Sequence, residues 1–328
     1  MSLMRIIKDF MKHSLFNEDH PYFMMKLLDR RERKILTQQE VNSRMTYAQI
    51  EEATNRIYME MFGRPVNWEN PQTYNEKMQV WKIYMPTPEK TRLTDKVAVR
   101  EWIAGKIGSE YLIPLLGVSD SFDEIDFDAL PDSFVIKCSH DSGSVTLVKD
   151  KHKMNRELLK RTYDIWLKRN LAWVGWEMHY REIPPKIIIE QYMGDALNDY
   201  KFLCFDGKPC FCWVDFDRFT NHKRNFYNLD WELQPFNQYH YGNYDKPVSC
   251  PECYDEMKSI AAKLSEGFEH VRVDLYVIDG HIFFGEMTFT NGNGFEEITP
   301  DEWSYKLGAL WPFDTSIRSQ VRARSSRP

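Results

Sequence analysis

The sequence predicts an α+β chain: a helical N-terminal region, then two units in which antiparallel strands alternate with helices. Three observations lead there. Asp206-Gly207 and Asp279-Gly280 each separate two β-patterned runs, residues 200–205 from 209–216 and residues 271–278 from 281–287, a strong hairpin signal. Short apolar runs at 111–118, 134–138, 145–149 and 186–192 are interleaved with helical periods, and such mixing excludes a plain doubly wound sheet. A length of 328 residues amounts to roughly two domains at ~150 residues each.

In chain order, residues 4–60 read as helical. Ile6, Ile7, Phe10 and Met11 sit at helical spacing, and Tyr47, Ile50, Ala53, Ile57 and Met61 continue that period. Lys8, Lys12 and His13 suit either a solvated helix face or contact with an anionic membrane surface. Pro65, Asn67, Asn70 and Pro71 end this region in loop chemistry. A helix is expected over 75–84, with Pro86 and Pro88 after it. Thr94 or Asp95 can cap a further helix through Val97, Trp102 and Ile103 to Gly108. Helices are also expected over 155–169 and 254–267. No internal repeat is visible. From Ser316 the chain is polar, with Arg318, Arg322, Arg324 and Arg327, and is expected to be disordered. The expected organisation is a helical region 1–85, a first unit 86–185, a second unit 186–315 and a basic tail 316–328.

The chain carries 42% apolar and 28% charged residues, 43 basic against 49 acidic, for a net charge of −6. That balance argues against general nucleic-acid binding. No apolar run approaches the ~20 residues of a spanning helix. Lys8, Asp9 and Lys12 interrupt any secretory h-region, so a cytoplasmic protein, with peripheral contact at the inner membrane left open, is expected. Six cysteines are too sparse for a disulfide framework. Cys250-Pro-Glu-Cys253 has zinc-knuckle spacing, yet no second pair follows it, and two free thiols flanking a loop is the plainer reading.

Three constellations can carry chemistry. In Phe134-Val-Ile-Lys137-Cys-Ser139-His-Asp-Ser142-Gly143-Ser144-Val145, a strand delivers a lysine and then a small-residue loop whose backbone N–H groups can approach phosphate. It is neither a Walker A loop nor a G-x-G-x-x-G fingerprint, and it also reads as a hairpin with an exposed lysine. Lys186-Ile-Ile-Ile-Glu190-Gln191-Tyr192-Met193 ends an apolar strand in a carboxylate and free backbone, suited to an adenine edge and a ribose, or else to a core strand with a polar end. Beyond it, Asp199 and Lys201 share one strand face, where paired charges are solvated or handle a charged ligand. Arg272, Asp274 and Tyr276 share a face of the last hairpin, and Glu286 and Thr288 share a face of its return strand. Asp274 and Glu286 brought side by side need a cation between them, either Mg²⁺ shared with nucleotide phosphates or Arg272 itself.

Taken in order, these elements resemble the ATP-grasp superfamily, and within it the TupA-like ATP-grasp family, named for teichuronopeptide synthesis and found among polysaccharide and capsule genes. The carrying segments are Asn70-Pro-Gln-Thr-Tyr-Asn-Glu-Lys77, Asp95-Lys96-Val-Ala-Val-Arg100, Leu130-Pro-Asp-Ser-Phe-Val-Ile-Lys137-Cys, and Glu177-Met-His-Tyr180 through Glu190. Asp199-Tyr-Lys-Phe202 with Phe205-Asp-Gly-Lys-Pro209, Arg224-Asn-Phe-Tyr-Asn-Leu-Asp-Trp231 and Gly285-Glu-Met-Thr-Phe289 complete the set, over about residues 65–315.

The resemblance implies two α+β subdomains clasping ATP, and an ADP-forming carboxylate–amine ligase working through an acyl phosphate. By matching position, Lys96 and Lys137 would hold nucleotide phosphates. The loop 139–145, with Ser139, Ser142, Gly143 and Ser144, would be the mobile flap over them. Glu190, Gln191 and Tyr192 would touch adenine and ribose, and Lys201 would make a further nucleotide contact. Asp274 and Glu286 would be magnesium ligands, and Arg272, with Lys137, would act at the transferring phosphoryl group. The usual Glu-x-Asn ends here in Thr288, so Asn291 or Asn293 would take part or one metal site is weaker. The acid substrate would be a small molecule or glycan and the amine an amino acid or similar. Trp176, Glu177, His179 and Tyr180 (with Trp173 and Glu182 beside them) are candidates to meet it, and Arg218 and Arg224 lie in a basic loop suited to a carboxylate or diphosphate. Three other readings remain: a glycosyltransferase, for which Asp215-Phe-Asp217 has metal-motif spacing, a sugar or lipid kinase using the same cleft, and a nucleotide-binding scaffold that has lost catalysis.

Overall fold

Capping chemistry sets the helices of the N-terminal region. The computed structural model describes residues 21–194, 198–216, 222–239, 241–244, 246 and 248–328. The expected segment with Ile6, Ile7, Lys8, Phe10, Met11, Lys12 and His13 therefore lies outside the described residues. Helix α1 (Pro21–Asn42) leads into α2 (Tyr47–Phe62). At the start of α2, Thr46 and Gln49 form a reciprocal capping box, and Gly63 ends the helix at φ 67°, where a left-handed residue satisfies the last carbonyls. Thr73 and Glu76 form a second box before α3 (Tyr74–Tyr84). Pro88 does not keep the chain in a loop: it opens α4 (Pro88–Thr94) behind the Thr87 cap, in the first turn, where its missing N–H costs nothing. The next helix, α5 (Val99–Lys106), starts later than the sequence suggested, because Asp95 accepts from the Val97 N–H at 2.9 Å and holds a turn there.

Two antiparallel sheets follow. The first contains β1 (Leu115–Ser119), β2 (Phe134–Cys138), β3 (Val145–Val148) and β4 (Ile187–Gln191), in the order β1-β4-β2-β3. Helix α6 (Arg156–Trp166) closes its apolar side, packing Leu159, Tyr163 and Trp166 against Phe134, Ile136, Ile187 and Ile189. A short helix, α7 (Leu171–Val174), follows it. The second sheet contains β5 (Asn198–Phe205), β6 (Lys208–Phe216), β7 (Lys223–Tyr227), then β9 (His270–Ile278) and β10 (His281–Thr288), in the order β10-β9-β5-β6-β7. A small pair joins β8 (Asn237–Gln238) to β11 (Ile298–Thr299). Helix α8 (Tyr254–Ser265) and helix α9 (Asp301–Leu310) supply Met257, Ile260, Leu264 and Leu307 to the core of this half.

Both Asp-Gly hairpins form where expected, with Asp206 and Asp279 at positive φ beside Gly207 and Gly280. Two expectations need correction. The strand ending at Gln191 pairs with β1 and β2, so the first unit runs through residue 191 and a boundary at 186 would tear β4 from its sheet. The tail from Ser316 is not disordered but forms α10 (Ile317–Arg324). Its arginines find a carboxylate on α2: Arg318 meets Glu51 at 2.6 and 3.0 Å and Arg322 meets it at 3.1 Å, while the Tyr84 hydroxyl donates to the same group at 2.6 Å.

Candidate active site

Strand alternation sorts the second sheet into an apolar and a charged face. Val271, Val273, Leu275, Phe202, Cys204 and Cys212 point into the core shared with α8. The opposite face takes every other residue. Across it, register aligns Glu286 with Asp274, Asp274 with Lys201, and Lys201 with Trp213; one step along lie Asp199, Asp215 and Arg224. Arg272 is the hub. Its guanidinium bonds Asp274 through both oxygens at 2.6 Å, Glu286 at 2.6 Å and the Asn291 amide oxygen at 2.6 Å. Thr288 donates to Glu286 at 2.7 Å. The four expected metal ligands thus gather around one arginine, which here supplies the cation the two carboxylates require. Burial would raise the Glu286 carboxyl, but Arg272 and Lys96 overcome it and hold it at about 2; at Asp274 burial wins and pushes the carboxyl up, against the pull of Arg272 and Lys201.

Lys201 is less available than expected. It is buried, pairs with Asp199, and lies 3.4 Å from Asp274 and 3.9 Å from Asp215, so it neutralises this face from beneath. Arg224 is similarly committed: it meets Asp215 at 2.7 and 3.3 Å and Gln238 at 3.1 Å, with its guanidinium over the Trp213 and Tyr241 rings. Gln238 also accepts from Asn291 at 3.1 Å, which links Arg224 to the Arg272 hub. Arg224 therefore braces the site and has no free edge for a substrate carboxylate. Arg218 and Asp217 lie outside the described residues. Asp215 is spent on Arg224 and His222, which removes the first half of the metal motif that a glycosyltransferase would need.

The first sheet contributes Lys137 and Glu190 on neighbouring strands. Lys137 Nζ lies 2.6 Å from Glu190, and Arg100, one helical turn beyond Lys96, lies 3.3 Å from the other Glu190 oxygen and donates to the Ile113 carbonyl at 2.8 Å. Lys96 Nζ donates to the Asp141 carbonyl at 2.7 Å. Gln191 is exposed and Tyr192 partly buried at the strand end. The loop expected to be a flap is pinned at its base. Ser139 donates its N–H to Lys186 O at 2.8 Å and its carbonyl accepts from Lys96 N at 3.2 Å, while Cys138 N donates to Ser144 O at 3.0 Å. Ser139, His140, Asp141 and Ser144 are buried, and Ser142 and Gly143 form an exposed tip. Gly143 sits at φ 81° with nothing near a would-be Cβ, so the turn requires its glycine and close approach does not.

Between the sheets, where Leu112 bridges to Phe284, lies a narrow cleft enclosing about 30 Å³. Leu93, Val99, Leu112, Ile113, Tyr276 and Phe284 make its apolar part; Lys96, Lys137, Arg100, Glu190 and Glu286 make its charged part. The Thr94 hydroxyl, also lining it, is buried without a partner among the described residues. Apolar walls with an orphaned hydroxyl, ending in lysines, have the chemistry for a base carrying a polyphosphate, and the two sheets would have to part to admit one, since pockets for such ligands span ~300–1,000 Å³. The oxygen-only set of Asp274, Glu286, Thr288 and Asn291 fits a hard divalent cation. Among the described residues no three acidic, histidine or cysteine side chains form a ready metal cage. Cys250 and Cys253 are free thiols.

The candidate acceptor cluster lies beside this site with its parts in unequal positions. Trp176 is packed into an apolar cluster with Tyr47, Ile50 and Met178 and presents no face for a sugar. Burial, with Lys90 nearby, depresses the His179 imidazole to about 3, too weak a base to take a proton from an amine. Glu177 is buried, accepts from the Thr290 hydroxyl, and is pushed up by burial. The Tyr180 hydroxyl is raised by burial and by Glu177, Glu286 and Asp141, which places it among these groups. Sequence reasoning missed Lys82, which is buried on α3 and donates to Asn293 O and Oδ1 at 3.1 and 2.7 Å. Asn75 and Gln79, two turns and one turn earlier, bond the Glu296 and Gly294 carbonyls at 2.8 Å each. Their i, i+4, i+7 spacing was the available signal for a polar helix face that holds the loop after β10.

Two antiparallel sheets meeting over a lysine-lined cleft are the layout of the ATP-grasp ligase superfamily. Residues 76–311 match the family described as TupA-like ATPgrasp, and the chain belongs to that family. A search of curated proteins finds no match. Solved structures resemble the chain distantly. A D-alanine–D-alanine ligase from Bacillus anthracis is 16% identical with a TM-score of 0.39, over 71% of this chain and 68% of that one. The ATP-grasp ligase PsnB complexed with minimal precursor is 12% identical with a TM-score of 0.35, over 62% and 53%. A phosphoribosylamine–glycine ligase from Thermotoga maritima is 12% identical with a TM-score of 0.35, over 62% and 50%. The chain spans about half to two thirds of the length of these proteins.

Proposed function

We propose that the protein is an ATP-dependent, ADP-forming carboxylate–amine ligase that activates an acid as its acyl phosphate and passes it to an amine, the acid being a precursor of a capsular or other cell-surface polysaccharide. The observation that carries this reading is the convergence of Lys96, Lys137 and Glu286 on one cleft, with Arg272 and Asp274 directly behind Glu286. Each cation rests on an internal acceptor: Lys137 on Glu190, Lys96 on the Asp141 carbonyl, Arg272 on the hairpin carboxylates. Phosphate oxygens would take over such positions, since phosphoryl transfer asks for positioning and charge neutralisation more than for covalent help. Asp274 and Glu286, with the Thr288 hydroxyl and the Asn291 amide oxygen, would hold Mg²⁺, which supplies charge neutralisation at the phosphoryl oxygens. Arg272 would meet the same oxygens from behind. The incoming amine must shed a proton, and Glu177, its carboxyl raised by burial, is suited to receive it where His179 is not. No helix among the described residues is long and apolar enough to cross a membrane, which fits a cytoplasmic enzyme that reaches envelope precursors at the inner membrane surface. Incubation with ATP, Mg²⁺, a panel of uronic acids, pooled amino acids and hydroxylamine tests the reading. Acyl hydroxamate with ADP supports it; a phosphorylated product without hydroxamate would make the protein a kinase, and turnover of a UDP-sugar without ATP a glycosyltransferase.

A further inference from the structure

Helix α1 carries little of the family pattern, and the family match begins only at residue 76, yet α1 is tied closely to the rest of the chain. Three side chains on one of its faces dock onto residues 168–173. Glu32 accepts from Arg169 Nε at 2.8 Å, Gln39 donates to Lys168 O at 3.0 Å and accepts from Asn170 N at 2.7 Å, and Asn42 donates to Trp173 O at 2.8 Å. Their spacing of seven and three residues keeps them on a single helical stripe. Arg169 then reaches on: its Nη1 lies 3.0 Å from Asp141 Oδ2. Asp141 in turn fixes its own loop, accepting from the Ser142 N–H at 2.9 Å through its other oxygen, and its carbonyl takes Lys96 Nζ at 2.7 Å.

The result is a chain of alternating charge, Glu32, Arg169, Asp141 and Lys96, from the N-terminal helix to the cleft. Glu32 is fully buried and the Asp141 and Arg169 side chains are 1% and 10% exposed. At such depth a charge left without its partner is costly, so the chain holds its members in one arrangement. Charge alone would not need an arginine in the middle. A planar guanidinium with separate edges is what allows one residue to bond Glu32 and Asp141 at once.

We propose that Arg169 is a positioning residue for the nucleotide cleft: anchored on α1 through Glu32, it fixes Asp141 and with it the carbonyl that aims Lys96 at the phosphates. The inference rests on the reading of the cleft as a nucleotide site. It gives the N-terminal helix a role at a distance from the chemistry, and it makes the small-residue loop a fixed shelf with a two-residue tip.

The test compares the full chain with Arg169→Met, Arg169→Lys, Glu32→Gln and Lys96→Met by calorimetric titration with Mg·ADP and with adenosine, and by hydrogen exchange over residues 139–146. Arg169→Met is expected to weaken Mg·ADP at least tenfold while adenosine stays within twofold, and to add nothing further in the Lys96→Met background. Glu32→Gln should act in the same direction more weakly, and Arg169→Lys should recover part of the loss. Exchange over 139–146 should rise in Arg169→Met and Glu32→Gln. Equal loss for ADP and adenosine with a lowered melting point would reduce Arg169 to a structural residue and overturn the proposal, as would unchanged exchange. A wild-type protein that binds neither ligand would remove the nucleotide reading, while the exchange data would still decide whether the chain anchors the loop.

Discussion

Replacing Arg100 with methionine separates a resting ion pair from a working one. Glu190 is shared by two cations, Arg100 at 3.3 Å and Lys137 at 2.6 Å, and its side chain is 7% exposed. In the empty protein the variant keeps Lys137 on Glu190, so folding and adenosine binding should change little. When Lys137 moves to a phosphate, wild-type Glu190 retains Arg100, whereas in the variant it stands alone. A stranded buried charge costs about 3–5 kcal/mol. Arg100 is itself 16% exposed, so water softens the penalty and the lower end, about 3 kcal/mol, applies. At ~1.4 kcal/mol per decade that is roughly a hundredfold loss of Mg·ADP affinity. Calorimetric titration reads it directly. The same reasoning expects Glu190→Gln, made in the Arg100→Met background, to restore much of the affinity, because a neutral amide needs no counter-cation. Unchanged ADP affinity in Arg100→Met, or further loss in the double variant, would refute it.

Asp274→Asn and Lys137→Ala should keep the wild-type far-ultraviolet circular dichroism while ATP turnover, followed as ADP release, falls at least a hundredfold on the order expected for phosphoryl-transfer residues; retained turnover in both would remove them from the site. Stability should fall with acid. Burial holds His179 and His270 at about 3, below their ordinary 6.5, so the unfolded chain takes up protons first as pH drops through 6.5. Their contribution is fully present above 6.5 and is lost progressively toward about 3. Between pH 7 and 5 each should cost about 2 kcal/mol at ~1.4 kcal/mol per pH unit, and denaturant melts of His270→Gln at both values should show a shallower slope than wild type. Glu51→Gln removes the anchor of α10. Hydrogen bonds to charged groups are worth about 1.5–3 kcal/mol, so a loss of about 2 kcal/mol with faster tryptic cleavage beyond residue 316 is expected, and equal melts and digestion rates would show that the Glu51 network adds nothing.

How far the sequence revealed the fold depended on how local each signal was. Both Asp-Gly hairpins and the alternation of Arg272, Asp274 and Tyr276 are written within a few residues, and the charged face of the second sheet could be read from period two alone. The place of β4 could not, because its partners β1 and β2 lie far away in the chain. The tail misled for the same reason: Arg318 reads as a solvated charge until Glu51, 267 residues earlier, is brought against it. At the candidate site, Lys137, Glu190, Asp274 and Glu286 stood out as charges at the ends or on one face of strands. Arg100, Lys82 and Arg169 did not, since each lies on or beside a helix and acquires meaning through a partner that only the fold supplies. Trp176 and Arg224 looked free in the sequence and are committed to packing and to Asp215.

A crystal structure of the protein with Mg²⁺ and a non-hydrolysable ATP analogue tests the clasped-nucleotide claim most directly. The expected result places the base in the slot beside Thr94 and Tyr276, with Lys137 Nζ moved from Glu190 onto a phosphate and Asp274 and Glu286 on a shared cation. A nucleotide bound elsewhere, or one in the cleft with the Lys137–Glu190 pair still closed at its present 2.6 Å, would contradict it.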